Sequence, residues 1–153
     1  MVSFADPLVA ESWSNFPQSR AKLLALVAVT QTPGVFFLSG DVHFAEINRA
    51  WPAPTGYPLY DVTSSGLTHS WGSPILSFVV KAALMGSSRI APSAIYTGKN
   101  FGEIDVLWGT VEAETRVTWR IIGQDGLTHI EHTILLADLS LRGARSSRML
   151  QVS

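Results

Sequence analysis

The spacing of apolar and polar positions divides the chain into a first half of mixed helix and strand and a second half that alternates like sheet. Over residues 18–30, Leu23, Leu24, Leu26 and Val27 with the small Ala25 and Ala28 predict a mostly buried helix, with Arg20 and Lys22 toward its exposed side. Asn15 followed closely by Pro17 suits its start, because proline is tolerated in a first helical turn. The sequence QTPG at residues 31–34 then breaks it. Residues 35–38, VFFL, read as a short apolar strand that stops at the small pair Ser39 and Gly40. Helix, turn and strand together form a unit that lays a helix over a sheet. Residues 44–48 fit a short strand or a helical turn equally, and residues 51–58, with three prolines and a glycine, are a loop. Residues 59–63, LYDVT, predict a second strand, ended by Ser64, Ser65 and Gly66.

Further on, residues 74–85 read as a helix and residues 86–100 as a long loop rich in Gly, Ser and Pro. Residues 101–108, 116–122 and 127–136 predict antiparallel strands, the last two joined by the hairpin signal Asp125-Gly126. Alternation puts Ile130, His132, Ile134 and Leu136 on one face of the last strand and His129 and Glu131 on the other. Core packing is therefore the expectation for His132, as for Phe101, Trp108 and Trp119, while His129 and Glu131 are expected in solvent. Residues 138–153 form a polar, basic tail with Arg142, Arg145 and Arg148 three apart. No internal repeat and no domain boundary interrupts the pattern, so residues 1–153 are read as one α/β unit with an antiparallel C-terminal hairpin.

Composition narrows the functions available. The 11 basic and 12 acidic side chains nearly cancel, which leaves no overall field to draw in nucleic acid or an anionic membrane. With no cysteine in the chain, disulfides, thiolate metal sites and thiol nucleophiles are excluded. The N-terminus has no basic stretch followed by an apolar run, and the longest apolar segment, residues 74–85, is too short to span a bilayer; a soluble chain without a signal peptide is the expectation, its compartment open. A mean hydropathy of +0.22 points to surface that a partner or further sequence would cover.

Two strand ends carry the candidate chemistry. If the backbone stays extended past Gly40, Asp41 and His43 face one side and Val42 and Phe44 pack on the other, at the kind of strand end where α/β proteins keep their sites. A carboxylate and an imidazole together suit a metal of intermediate hardness, and such a metal acidifies bound water. By spacing alone, a turn-capping aspartate beside a satisfied imidazole explains D-x-H as well, and two ligands are too few for a dinuclear site. The second strand end delivers TSSGLTHS, in which Ser65 and His69 lack the G-x-S-x-G elbow and any acid placed to orient the imidazole, which argues against a serine hydrolase. Ser64, Ser65 and Gly66 instead read as a tight turn beside a pocket, with His69 hydrogen-bonding a substrate oxygen or bracing its own loop.

Taken together, LSGDVHFAEI at residues 38–47, PLYDVTSSGLTHSW at residues 58–71 and NFGEIDVLW at residues 100–108 resemble the C-terminal half of the PhoD-like alkaline phosphatase family of metallophosphoesterases. ESW at residues 11–13 and the helix around Arg20 stand in the expected order ahead of them, and the resemblance covers residues 11–126. It implies an αββα sandwich, two mixed sheets flanked by helices, with metal ligands at strand ends. It also implies hydrolysis of small-molecule phosphate esters by metal-activated water, with calcium and iron as the associated ions. By position, Asp41 and His43 correspond to the family's last metal-binding motif, Gly40 to a small residue where the backbone turns at the metal, and His69 to a pocket position; Ser65, in the turn beside that pocket, is the other candidate for binding substrate. Relatives in the family are often exported. The family's earlier acidic motifs have no counterpart ahead of this one, so a partial domain is expected, short of metal ligands and weak or inactive alone. The other reading is a non-catalytic remnant or interaction module of the same fold, its apolar surface covered by a missing N-terminal half or by a protein partner.

Overall fold

The computed structural model describes residues 13–51, 55–83, 88–91 and 93–141. Glu11 and the tail arginines Arg142, Arg145 and Arg148 lie outside them. A 3-10 turn, Trp13–Asn15, leads into helix α1 (Pro17–Thr30), then β1 (Phe37–Ser39), β2 (Ala45–Ala50) and β3 (Leu59–Ser64). Helix α2 (Pro74–Ala83), the two-residue β4 (Ile95–Tyr96), β5 (Asn100–Leu107), β6 (Arg116–Gly123) and β7 (Thr128–Leu135) follow, closed by a 3-10 turn, Leu136–Leu139. No described helix is long and apolar enough to cross a membrane.

The strands form two sheets. One is mixed, in the order β1-β3-β2-β4, with β1 parallel to β3 and β2 antiparallel to both β3 and β4. The other is antiparallel, in the order β5-β6-β7. One face of the mixed sheet packs on the antiparallel sheet: Tyr60 and Phe36 meet Trp119, whose side chain is fully buried, at ring-centroid distances of 5.0 and 5.2 Å. His132 stacks on the other side of this cluster, 6.1 Å from Trp119 and 5.3 Å from Tyr60, so its expected core position holds. Val117 and Ile121 of β6, Ile130 and Ile134 of β7, and Leu24 and Val27 of α1 complete the core.

Helix α1 starts with Pro17 at its first position behind Phe16, which makes no side-chain cap; Asn15 belongs to the preceding 3-10 turn. It ends where Gln31 turns left-handed at φ 50°, with the Thr30 hydroxyl donating back to the Leu26 carbonyl at 2.8 Å. Contrary to the expectation of a mostly buried helix, only Leu24 and Val27 are buried along it, because it covers the sheet by a single narrow stripe. Residues 44–48, which the pattern left open, belong to the strand β2, and the long Gly/Ser/Pro-rich segment contains β4. Phe101 and Trp108 are not core residues: they are 48% and 75% exposed, because β5 lies at a sheet edge and Trp108 follows its end.

Candidate functional site

Parallel pairing of β1 with β3 sets Ser39 opposite Thr63, so both strands end at the same edge of the mixed sheet. The chain after β1 carries Asp41 and His43; the chain after β3 carries Ser65 and His69. The fold thus brings the two candidate stretches together across 22 or more residues of sequence. Ring centroids of His43 and His69 lie 5.7 Å apart in a stacked arrangement, interplanar angle 29°. A Cβ built on Gly40 would sit 3.9 Å from Ser65 Oγ, an ordinary contact, so the two turns touch there without Gly40 being sterically required.

The backbone that presents Asp41 and His43 differs from the extended path expected. β1 stops at Ser39, and Asp41 and His43 both adopt left-handed conformations, φ 74° and 61°. Such angles are uncommon outside glycine, although Asp and His adopt them more readily than most side chains, and backbone of this kind is over-represented at functional sites. Alternation nevertheless survives: Val42 and Phe44 are buried against Val80 of α2 and Ile95 of β4, while Asp41 is exposed and His43 half-buried. Trp71 secures the loop, a role its place in the sequence did not reveal. Its indole N–H donates to the Val42 carbonyl at 2.8 Å, its backbone N–H donates to the His43 carbonyl at 3.3 Å, and its ring lies 6.2 Å from that of His43.

On the other turn, Thr68 Oγ1 and His69 Nδ1 share a hydrogen bond of 3.0 Å, so the imidazole does brace its own loop; the ring stays exposed. Asn100, almost fully buried, clamps the turn from β5. Its Oδ1 accepts from the Ser64 hydroxyl at 3.0 Å, its Nδ2 donates to the Gly98 carbonyl at 2.8 Å, and its backbone N–H donates to the Gly66 carbonyl at 3.1 Å. Gly66 has no room for a side chain here, since a Cβ would fall 2.0 Å from Asn100 Nδ2. Gly102 likewise lets β5 approach Ser64 of β3, where a Cβ would come within 3.1 Å. Between the two sheets, below these turns, opens a cleft of about 320 Å³ lined by Leu38, Ser39, Ser64, Leu67, Phe101 and Ile104, among others.

The opposite face of the mixed sheet is polar at its centre. Register places Glu46 and Ser39 across from Thr63, and Asn48 across from Asp61; Glu46, Asn48, Asp61 and Thr63 are fully buried. Ser39 donates to Asp61 Oδ1 at 2.6 Å and Asn48 to Glu46 Oε1 at 2.7 Å, with Arg89 3.7 Å from Glu46. Burial pushes both carboxyls above their ordinary range; the Asn48 amide and Arg89 oppose it at Glu46, and the Ser39 hydroxyl opposes it at Asp61. Ser39 thereby ties this buried layer to the strand end two residues before Asp41. The sequence signal was limited to acids embedded in apolar strands.

A carboxylate and a nearby imidazole fit a metal in donor type. They do not complete a coordination shell: among the described residues, no three His, Asp or Glu side chains gather as a metal-binding group. No family model, curated protein or solved structure matches the chain in comparisons with each.

Proposed function

We propose that this chain supplies one side of a metal-dependent phosphoester hydrolase site within an αββα-type sandwich, with Asp41 and His43 as its metal ligands. The observation that carries the reading is the junction of two strand ends, where the D-x-H loop, left-handed at both Asp41 and His43, and the Ser65–His69 turn meet with stacked imidazoles. The bound ion, calcium or iron by family resemblance, would supply Lewis acidity toward the phosphate and its attacking water. The residues of this chain have simpler tasks. Asp41 and His43 would hold the ion through an oxygen and a nitrogen, their loop fixed by the Trp71 hydrogen bonds to the Val42 and His43 carbonyls. Ser65 and His69 would offer a hydroxyl and a ring N–H to phosphate oxygens, and the apolar wall of the cleft, Leu38, Leu67 and Ile104, would receive the organic part of the ester.

With two contributed ligands, affinity and turnover by this chain alone are expected to be low, and the remaining ligands to come from additional polypeptide. The test is hydrolysis of 4-nitrophenyl phosphate with calcium and iron added, for the chain and for Asp41→Ala. The proposal expects rates at the uncatalysed background. Metal-dependent turnover abolished by Asp41→Ala would show instead that the chain is a complete enzyme.

A second reading, an interaction module without catalysis, is favoured by one specific observation. Helix α2 carries apolar residues around most of its circumference, yet among its described residues only Val80 is buried, and Ile75 and Phe78 are 78% and 74% exposed.

A further inference from the structure

We infer that the outer edge of β5 is a docking site for an extended, cationic segment of a partner protein, which would add a fourth strand to the antiparallel sheet. Among the described strands, β5 has β6 on one side and no strand on the other. All its residues after Asn100 are exposed, and of the devices that blunt a free edge it has no proline, lysine or bulge, leaving the acids Glu103 and Asp105.

Charge specifies what fits. Directly paired residues form a row across the sheet, Glu131 on β7, Arg120 on β6 and Glu103 on β5. Arg120 donates to Glu131 at 2.7 Å and to Glu103 at 2.8 Å, and Asp105 lies 3.7 Å from the same guanidinium. The row alternates minus, plus, minus, so a positive residue continues it beyond Glu103, and even with Arg116 exposed on the same face of β6 the three carboxylates outnumber the two guanidiniums. On the other face of β5, Gly102, Ile104 and Val106 look toward the core side, and alternate apolar side chains of an added strand would lie beside them.

A second copy fits poorly. Antiparallel pairing of β5 with itself, with the core faces kept on one side, sets Glu103 opposite Glu103, Glu103 opposite Asp105, or Asp105 opposite Asp105 in each central register, and like charges directly opposite are destabilising. The acids thus guard the edge against self-pairing while leaving it open to a Lys- or Arg-bearing strand. Nothing in this inference depends on the metal site.

The test measures fluorescence anisotropy of a dye-labelled peptide of alternating Lys and Val, beside its Glu/Val counterpart, against the chain and against Glu103→Lys. Amide hydrogen exchange reports where the peptide lies, and circular dichroism reports that the variant is folded. The Lys/Val peptide is expected to bind and to slow exchange along β5, Glu103→Lys to weaken it about fivefold, and the Glu/Val peptide to gain by a similar factor on that variant. No binding at millimolar peptide, binding indifferent to the charge exchange, protection elsewhere than β5, or sedimentation as a dimer through β5 would each overturn the inference.

Discussion

Replacing Trp119 tests whether the two sheets share one core and thereby hold the strand ends in place. The side chain is fully buried and meets Phe36, Tyr60 and His132, residues of both sheets. Burying an indole removes roughly 150–250 Å² from water, worth about 4–6 kcal/mol at 25 cal/mol/Å². Truncation to alanine leaves a partly collapsed cavity and costs about 3–5 kcal/mol, a large share of the roughly 5–15 kcal/mol by which domains are stable. The indole N–H finds no acceptor among the described residues, and a buried unmet donor costs about 1–3 kcal/mol. Trp119→Phe removes that donor along with part of the ring, so it is expected to cost far less than Trp119→Ala, about 1–2 kcal/mol. Urea unfolding followed by far-UV circular dichroism, with the slope unchanged between variants, gives both numbers. A Trp119→Ala variant within 1 kcal/mol of the native chain would refute the shared core, and a Phe variant as damaged as the Ala variant would refute the orphaned donor.

Three further outcomes follow from the same geometry. Asp61 has a folded-state pKa raised above its ordinary 3.8 by burial, so the stability it lends is full below that value and is lost as pH rises through the folded pKa; Asp61→Asn should therefore gain stability relative to the native chain from pH 4 to pH 8, and a constant difference between their melting temperatures would contradict this. His132 is held below its ordinary 6.5, chiefly by burial and also by Arg49, so its contribution is full above 6.5 and lost as pH falls through the lowered value; His132→Phe should flatten the loss of melting temperature on the acid side, and an unchanged slope would count against it. Trp71→Phe keeps a ring beside His43 but deletes the indole bond to the Val42 carbonyl, at about 1 kcal/mol, and amide exchange should quicken in residues 40–44 while β6 and β7 stay protected.

What could be read from the chain, and what could not, divides along physical lines. The elements α1, β3, α2 and β5 to β7 were legible because their period and turn residues agree with their neighbours. Asp125-Gly126 marked its hairpin for the same reason, Gly126 having φ 76°. The left-handed backbone at Asp41 and His43 leaves no such mark: neither is glycine, and the Trp71 bonds that accompany it come from a residue 28 or more positions further along the chain. Phe101 and Trp108 look like core residues in any alternation pattern, and only strand order in the assembled sheet reveals that they face out. The nearness of His43 to His69 is equally a product of topology, since it requires β1 and β3 to be parallel neighbours. Asn100 was visible as the first residue of a motif, but its clamp on Gly66 depends on how β5 crosses the end of β3.

Metal binding by Asp41 and His43 at this strand junction can be tested directly. Paramagnetic broadening by manganese(II), followed by NMR on the imidazole signals of the four histidines, detects even weak binding and locates it. His43 is expected to broaden first, with His69 next because of its proximity, and Asp41→Asn to abolish the preference while leaving the spectrum folded. Broadening of His129 or His132 at the same manganese concentration as His43, or a His43 response indifferent to Asp41→Asn, would contradict it.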